Sequence, residues 1–184
     1  MTTSAEHDIL TEVTNVGGGN AATAMSELLM TQVHMGLPQT VTISAEDYAA
    51  SRGAEHGDIA TTLVGVTGQI DGQLLLLYGA TEVYESTLGV SGPDLDSAFA
   101  EIGNILCARF LIAIGELADI FAEVTPPTVH HVDTAALAAL VASNVSEQPF
   151  TGLVTKLRID GIEAAAELVY LPTPTALGLL RAIL

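Results

Sequence analysis

The sequence predicts an α+β domain built as a pseudo-twofold internal repeat, with about six mostly antiparallel strands, two long helices and several shorter helices. Two observations predict this fold. Strand-like apolar runs meet at Asp-Gly turns at Asp71 and Asp160, and each pair of runs indicates a β-hairpin. A long amphipathic helical segment also opens each half of the chain. Because no linker-like stretch separates the halves, about 1–90 and 91–184, we expect a single domain over 1–184 with one shared core.

The first half begins with the long helix, whose start carries a capping-box pattern at Thr3 and Glu6. Three glycines, 17 to 19, follow within it, and we expect them to permit close packing between the two long helices. Asn20 is then suited to cap a helix that restarts after the glycines. A strand at "VTIS", a helix at "AEDYAASR", the hairpin "DIATTLVGVTGQIDGQLLLLY" and a closing helix complete this half.

The second half repeats this order. Its long helix has a capping-box pattern at Ser91 and Asp94, and Pro93 is tolerated in a first turn. The segments that follow are a strand at "TVHHV", a helix at "DTAALAALVASN", the hairpin "FTGLVTKLRIDGIEAAAELVYL" and a closing helix.

Composition restricts the possible partners. The net charge is −17, from 22 acidic and 5 basic residues, and the only lysine is Lys156. A surface this acidic excludes nucleic acid and anionic lipid as expected partners, because both require positive charge. Hydrophobic residues make up 49% of the chain, but no apolar run reaches the roughly 18 residues that span a bilayer. We therefore expect a soluble, cytoplasmic protein.

The charge also indicates the kind of organism from which the protein comes. Self-repulsion of this size destabilises a compact chain unless salt screens it. Together with the near absence of lysine, the charge predicts a protein from the cytosol of a halophile, with an archaeon as the expected organism. An ordinary acidic protein is the alternative.

The cysteine and the histidines of this sequence indicate neither a nucleophile nor a metal site. Cys107 lies on an apolar helix with no histidine beside it, which is typical of a buried thiol and not of a nucleophile. The five histidines show no metal-ligand spacing, so we expect no metal site within the chain.

The long helices carry the candidate site. On each helix, a polar stripe separate from the apolar face contains an acidic or hydroxyl residue, Glu four positions later and Asn three positions after that. The six residues are Asp8, Glu12, Asn15, Ser97, Glu101 and Asn104.

The repetition of this pattern makes it specific. A single Glu-x-x-Asn is common by chance, and such residues on a helix usually only contact solvent. Here both copies are followed by a proline at the same distance from the Asn, at Pro38 and Pro127. We expect the prolines themselves to shape the neighbouring strands.

The repeated pattern resembles the CheC/CheX/FliY family of chemotaxis phosphatases. That family's motif is Asp or Ser, three residues, Glu, two residues, Asn, twenty-two residues and Pro, and both copies match it. The segments "NVGGGNAATAMSELL" and "EIGNILCARFLIAI" also resemble the helix signatures of CheC.

The resemblance implies hydrolysis of the aspartyl phosphate of a CheY-type response regulator. In this interpretation Asn15 and Asn104 position the attacking water, and Glu12 and Glu101 pair with a lysine of the regulator. An Asn amide suits this task because it offers a donor and an acceptor but cannot act as a base. The preceding Asp and Ser either support the stripe or only solvate the first turns. The resemblance implies no cofactor in this chain, since Mg²⁺ would belong to the regulator.

The resemblance also implies a second partner, the receptor deamidase CheD. The chain could then act mainly as a non-catalytic adaptor. The helix at residues 132–144 has more small apolar residues than its counterpart in the first half. The resemblance implies that a helix in this region of the second half docks the deamidase, so Leu137 and Leu140 are the expected docking residues. Core packing of these leucines is an equal alternative. A flagellar-switch component like FliM or FliY is a further possibility, which the two intact Glu–Asn pairs disfavour.

Overall fold

The computed structural model describes residues 4–56, 59–160 and 162–182, which form six helices and eight strands. The first seven elements are α1 (Ser4–Leu29), β1 (Val33–Met35), β2 (Gln39–Ile43), α2 (Ala45–His56), β3 (Ile59–Gly68), β4 (Gly72–Tyr78) and α3 (Thr81–Leu88). The next seven are α4 (Pro93–Ala118), β5 (Ala122–Val124), β6 (Thr128–Val132), α5 (Thr134–Ser143), β7 (Phe150–Ile159), β8 (Ile162–Pro172) and α6 (Pro174–Ala182). The predicted α+β fold is confirmed, and the same order of elements occurs twice. The boundary near residue 90 stays a prediction.

The structure differs from the prediction in two short strands and in one helix cap. Strands β1 and β5 were not expected, because three residues are too few to show an alternating pattern. The capping box at Ser91 and Asp94 is wrong, since α4 begins after Gly92, whose φ of 58° turns the chain without a side-chain cap. The pattern at Thr3 lies outside the described residues.

The described strands form one antiparallel sheet that joins the two halves of the chain. The central pair is β4 and β8, with β3 beside β4 and β7 beside β8. Both short strands of the first half, β1 and β2, pair with β7, so that Val33 lies opposite Ile159. In the same way β5 and β6 pair with β3. Each half therefore completes the sheet of the other.

The two faces of the sheet carry different helices. The larger core lies beneath α1 and α4, and the smaller core lies beneath α2 and α5. The smaller core contains an ion pair, because Arg52 Nε lies 2.8 Å from Glu167 Oε1 and both side chains are largely buried. The Tyr48 hydroxyl donates a hydrogen bond to the same carboxylate oxygen at 2.8 Å.

The glycines of α1 allow the close helix packing that the sequence predicts. A Cβ added to Gly17 would lie 2.7 Å from two ring carbons of Phe110 on α4. The helix nevertheless continues through the glycines without a break, so the predicted restart capped by Asn20 is wrong. Packing against α4 supports the backbone here, and the Asn20 amide donates to the Val16 carbonyl within the same helix.

Helix α4 is long and apolar enough, by length and composition alone, to cross a membrane. Half of its most apolar window is buried within the fold, against α1 and the sheet. Its apolar character is thus accounted for by its position in the larger core.

Candidate functional site

The polar stripes of α1 and α4 lie on the outer side of the helices. Asp8, Glu12, Asn15, Ser97 and Glu101 are exposed, and Asn104 is half-buried. The opposite sides of the same helices enter the larger core. Their inward residues, each at most 4% exposed, are Leu10, Val13, Phe99 and Ile102. The predicted division into an apolar face and a polar stripe is therefore confirmed for both helices.

Within each stripe the Glu and the Asn are neighbours. Residues three apart on a helix have Cβ atoms about 5–6 Å apart, so a single ligand can contact both side chains. Among the described residues, none forms a hydrogen bond with the side chains of Glu12, Asn15, Glu101 or Asn104. Both pairs can therefore bind an external group without first breaking an internal contact.

The helical turn behind each pair is fixed by buried hydroxyl groups, but by different ones. In α1, the Thr14 hydroxyl donates to the Leu10 carbonyl at 2.6 Å. In α4, the equivalent carbonyl is that of Phe99, and it accepts from the Tyr78 hydroxyl of β4 at 2.7 Å. Thr62 of β3 lies 3.0 Å from the same oxygen.

Sequence reasoning did not identify Tyr78 or Thr62 as residues near the site. The available signal was Gly103, which directly precedes Asn104 where the first helix has Thr14. A Cβ on Gly103 would lie 2.5 Å from a Thr62 methyl carbon, so glycine is required for this close approach.

The first residues of the two stripes differ in their contacts. The Ser97 hydroxyl donates to the Pro93 carbonyl at 3.0 Å, one turn back in α4. Asp8 is exposed in the first turns of α1. Their predicted supporting role stays a prediction.

The two motif prolines occupy equivalent loops. Pro38 immediately precedes β2 and Pro127 immediately precedes β6. In each loop an amide two residues earlier bonds to the sheet: Gly36 donates to Lys156 and Thr125 donates to Gly65, both at 2.8 Å. Both prolines stand where a short strand ends and the next begins, as expected for residues that shape strands.

The remaining candidate groups, the cysteine and the histidines, are either buried in the core or lie at the surface. Cys107 is fully buried, so the predicted buried thiol is confirmed, and burial raises the pKa of that thiol far above its usual value. His34 and His131 each contact one carboxylate, of Asp160 and Asp96, at 2.9 and 2.8 Å. In the described part of the chain, no group of three or more His, Cys, Asp or Glu residues could hold a metal ion.

The proposed docking residues on α5 are not equally accessible. Leu137 is fully buried in the smaller core, and Leu140 is partly buried against it. Leu137 therefore fits the alternative of core packing, because its side chain lies in the core beneath α5. The exposed residues of α5 are all small, and they are Thr134, Ala135, Ala136, Ala139, Ala142 and Ser143.

Comparisons with known proteins find matches to both the sequence and the fold. The CheC-like family matches residues 6–41, which include the first Glu–Asn pair. The CheY-P phosphatase CheC of Bacillus subtilis is 27% identical over 154 residues, which cover 76% of this chain and 71% of that protein.

Solved structures share the fold at low sequence identity. Thermotoga maritima FliY superposes with a TM-score of 0.77 at 16% identity, covering 100% of this chain and 98% of that chain. The CheX of the Borrelia burgdorferi CheX–CheY complex gives 0.56 at 13% identity, covering 88% and 96%. The middle domain of FliM from H. pylori gives 0.66 at 7%, covering 97% and 98%.

The fold is therefore the one found in the CheX, FliY and FliM structures. The predicted resemblance to CheC is confirmed by the match of α1 and by the Bacillus relative.

Proposed function

We propose that this chain hydrolyses the aspartyl phosphate of a CheY-type response regulator, and that each Glu–Asn pair forms one active site. The observation that carries the proposal is that both pairs lie on the solvent side of packed helices, with no internal partner among the described residues. The name of the Bacillus relative, a CheY-P phosphatase, supports the same reaction.

In this proposal Asn15 and Asn104 hold the attacking water. Transfer of a phosphoryl group to water requires in-line geometry and little covalent chemistry from the protein, so positioning is the main contribution. An amide can hold one water through its oxygen and its nitrogen at any ordinary pH. Mg²⁺ would be bound by the regulator, and the carboxylates of this chain would not coordinate it.

Glu12 and Glu101 have a docking role in this proposal. Each carboxylate can accept a charge-assisted hydrogen bond from a lysine of the regulator, which aligns the phosphate with the neighbouring Asn. The net charge of −17 would also attract a partner that presents a positive patch.

The experiment that tests this function is a dephosphorylation assay with a cognate, labelled regulator and its Mg²⁺. Single variants Asn15→Ala and Asn104→Ala should each retain activity, because the other pair remains. The double variant should fall to the regulator's own rate of phosphate loss. Asn20→Ala is the matched control, since Asn20 is an exposed asparagine on α1 outside the stripe. A folded double variant that is as fast as the unaltered protein would refute the activity.

Binding of a CheD-type deamidase is a second proposal for the same chain. Four exposed alanines make up most of the accessible side of α5, and an apolar exposed side suits a protein partner better than water. A titration of the deamidase with Ala139→Glu tests this surface without altering the buried Leu137. Unchanged affinity in that variant would argue against α5 as the binding surface.

A structural role in a flagellar switch is the remaining candidate, and the likeness to the FliM middle domain favours it. Loss of regulator turnover in the double Asn variant separates the two functions, because an inert switch component has no turnover to lose. A cytoplasmic location is part of the proposal, since the proposed regulator is a cytoplasmic protein.

A further inference from the structure

We propose that Tyr78, assisted by Thr62, is a positioning residue for the second Glu–Asn pair only, so that the two active sites are held by different parts of the fold. This inference rests on the proposed function for its effect on turnover, and on the hydrogen bonds of α4 for its physical basis.

The hydroxyl groups act on the turn that carries the pair. The Phe99 carbonyl lies two residues before Glu101 and five before Asn104, and it accepts the Tyr78 hydroxyl at 2.7 Å. Thr62 Oγ1 is 3.0 Å from that carbonyl and 3.2 Å from the Tyr78 oxygen, so its single hydrogen serves one of them at a time. Tyr78 is therefore the constant donor.

The aromatic ring of Tyr78 is buried and packed between two other rings. It stacks on the Phe99 ring at a centroid distance of 4.0 Å and meets the Tyr84 ring edge-on at 5.4 Å. Burial raises the pKa of Tyr78 well above its usual value, so its hydroxyl keeps its proton and remains a donor. A rigid strand residue thus fixes the position of the helical turn.

In the first pair, the equivalent carbonyl is bonded within its own helix and not to a strand. Leu10 occupies the position of Phe99, and its carbonyl accepts the hydroxyl of Thr14, one turn along the same helix. A hydroxyl on the helix itself moves with the helix, whereas Tyr78 ties α4 to β4. Consistent with this difference, Asn104 is half-buried and Asn15 is exposed.

The test places Tyr78→Phe in two backgrounds. Asn15→Ala leaves only the second pair, and Asn104→Ala leaves only the first. We expect Tyr78→Phe to lower the turnover number roughly three- to tenfold in the first background, as for loss of one buried hydrogen bond. In the second background the turnover number should not change.

Tyr84→Phe is the matched control. Its ring contacts the same Phe99 ring at 5.3 Å, but its hydroxyl donates to Ala165 of β8 and not to α4. It should therefore leave both backgrounds unchanged. Equal effects of Tyr78→Phe in the two backgrounds, or equal effects of the two tyrosine variants, would overturn the inference.

A second readout does not require phosphatase activity. Amide hydrogen exchange at Gly103 to Leu106 should accelerate in Tyr78→Phe, while exchange at Thr14 to Gly17 and in Tyr84→Phe should not. Unchanged exchange in α4 overturns the inference whatever the assay shows. If both single-Asn backgrounds lack activity, the proposed function fails and hydrogen exchange still decides the role of Tyr78.

Discussion

Gly17 of α1 lies directly against the ring of Phe110 of α4, and a Cβ at Gly17 would come within 2.7 Å of that ring. Phe110 is 1% exposed and meets the Tyr170 ring edge-on at 6.0 Å, so a shift of the ring would disturb its packing in the larger core. The separation of the two long helices, and hence of the two polar stripes, depends on this contact.

Gly17→Ala should therefore destabilise the protein by about 1–3 kcal/mol, the usual cost of overpacking a dense core. Gly19→Ala is the control, because a Cβ there would meet nothing within 4 Å. That variant should stabilise the helix by about 0.5–1 kcal/mol, since alanine loses less backbone entropy than glycine. Urea unfolding of both variants measures the difference, and equal midpoints would show that the helices separate freely.

Removal of the two motif carboxylates should weaken binding of the activated regulator. Glu12→Ala together with Glu101→Ala removes both proposed charge-assisted hydrogen bonds, each worth about 1.5–3 kcal/mol. Titration calorimetry with a beryllofluoride-activated regulator measures the affinity. Glu27→Ala, on an exposed position of α1 outside the stripe, should have little effect. Equal affinities for these variants would leave the carboxylates without a docking role.

Leu137→Ala should cost about 2–5 kcal/mol, because the side chain is fully buried between α5 and the sheet. Ala139→Ser, on the exposed side of the same helix, should change stability by no more than about 0.5 kcal/mol. Chemical denaturation followed by circular dichroism gives both values. A small cost at Leu137 would mean that α5 packs loosely and is available to a partner.

The ion pair of the smaller core predicts that removal of a buried arginine destabilises the protein more than removal of an exposed one. Arg52→Ala should cost about 3 kcal/mol, because it leaves the largely buried Glu167 carboxylate without its cation. Arg158→Ala removes an exposed arginine from β7 and should cost less than about 1 kcal/mol. Thermal melts at one salt concentration compare the two variants. Similar losses of stability would mean that water screens the Glu167 carboxylate.

The halophilic origin predicted from the charge can be tested by varying the salt concentration. The Debye length is about 3 Å at 1 M salt and about 10 Å at 0.1 M, so the −17 net charge repels itself more strongly in dilute salt. The melting temperature should fall markedly between these concentrations. A melting temperature that is unchanged or higher in dilute salt would favour an ordinary acidic protein.

Much of the fold could be predicted because its signals are local. The Asp71 turn joins two strands that pair with each other, and the helical stripes need only the helix period. The contacts that sequence alone could not give are those between distant segments. The Tyr78 hydroxyl reaches Phe99 across 21 positions, and no pattern around either residue indicates the other.

The same limit explains the predictions that were incomplete or wrong. Leu137 and Leu140 lie three apart on one apolar helix, so their periodicity could not say which of them contacts the sheet. Asn20 suited a helix start by residue type, but the packing of Gly17 on α4 keeps the helix continuous. In both cases the neighbouring element decided the outcome.

The exchange of strands between the halves has a consequence for synthesis of the protein. Val33 of β1 must wait for Ile159 of β7, which is made about 125 residues later. At roughly 5–20 residues per second, a ribosome needs about 6–25 s to supply that partner. During this interval β1 and β2 lack the strand with which they pair. Helix α1 likewise lacks its packing partner until α4 has been made. A newly made first half therefore has open strand edges in the cell, where a chaperone or a second nascent chain can reach it before its own C-terminal half does.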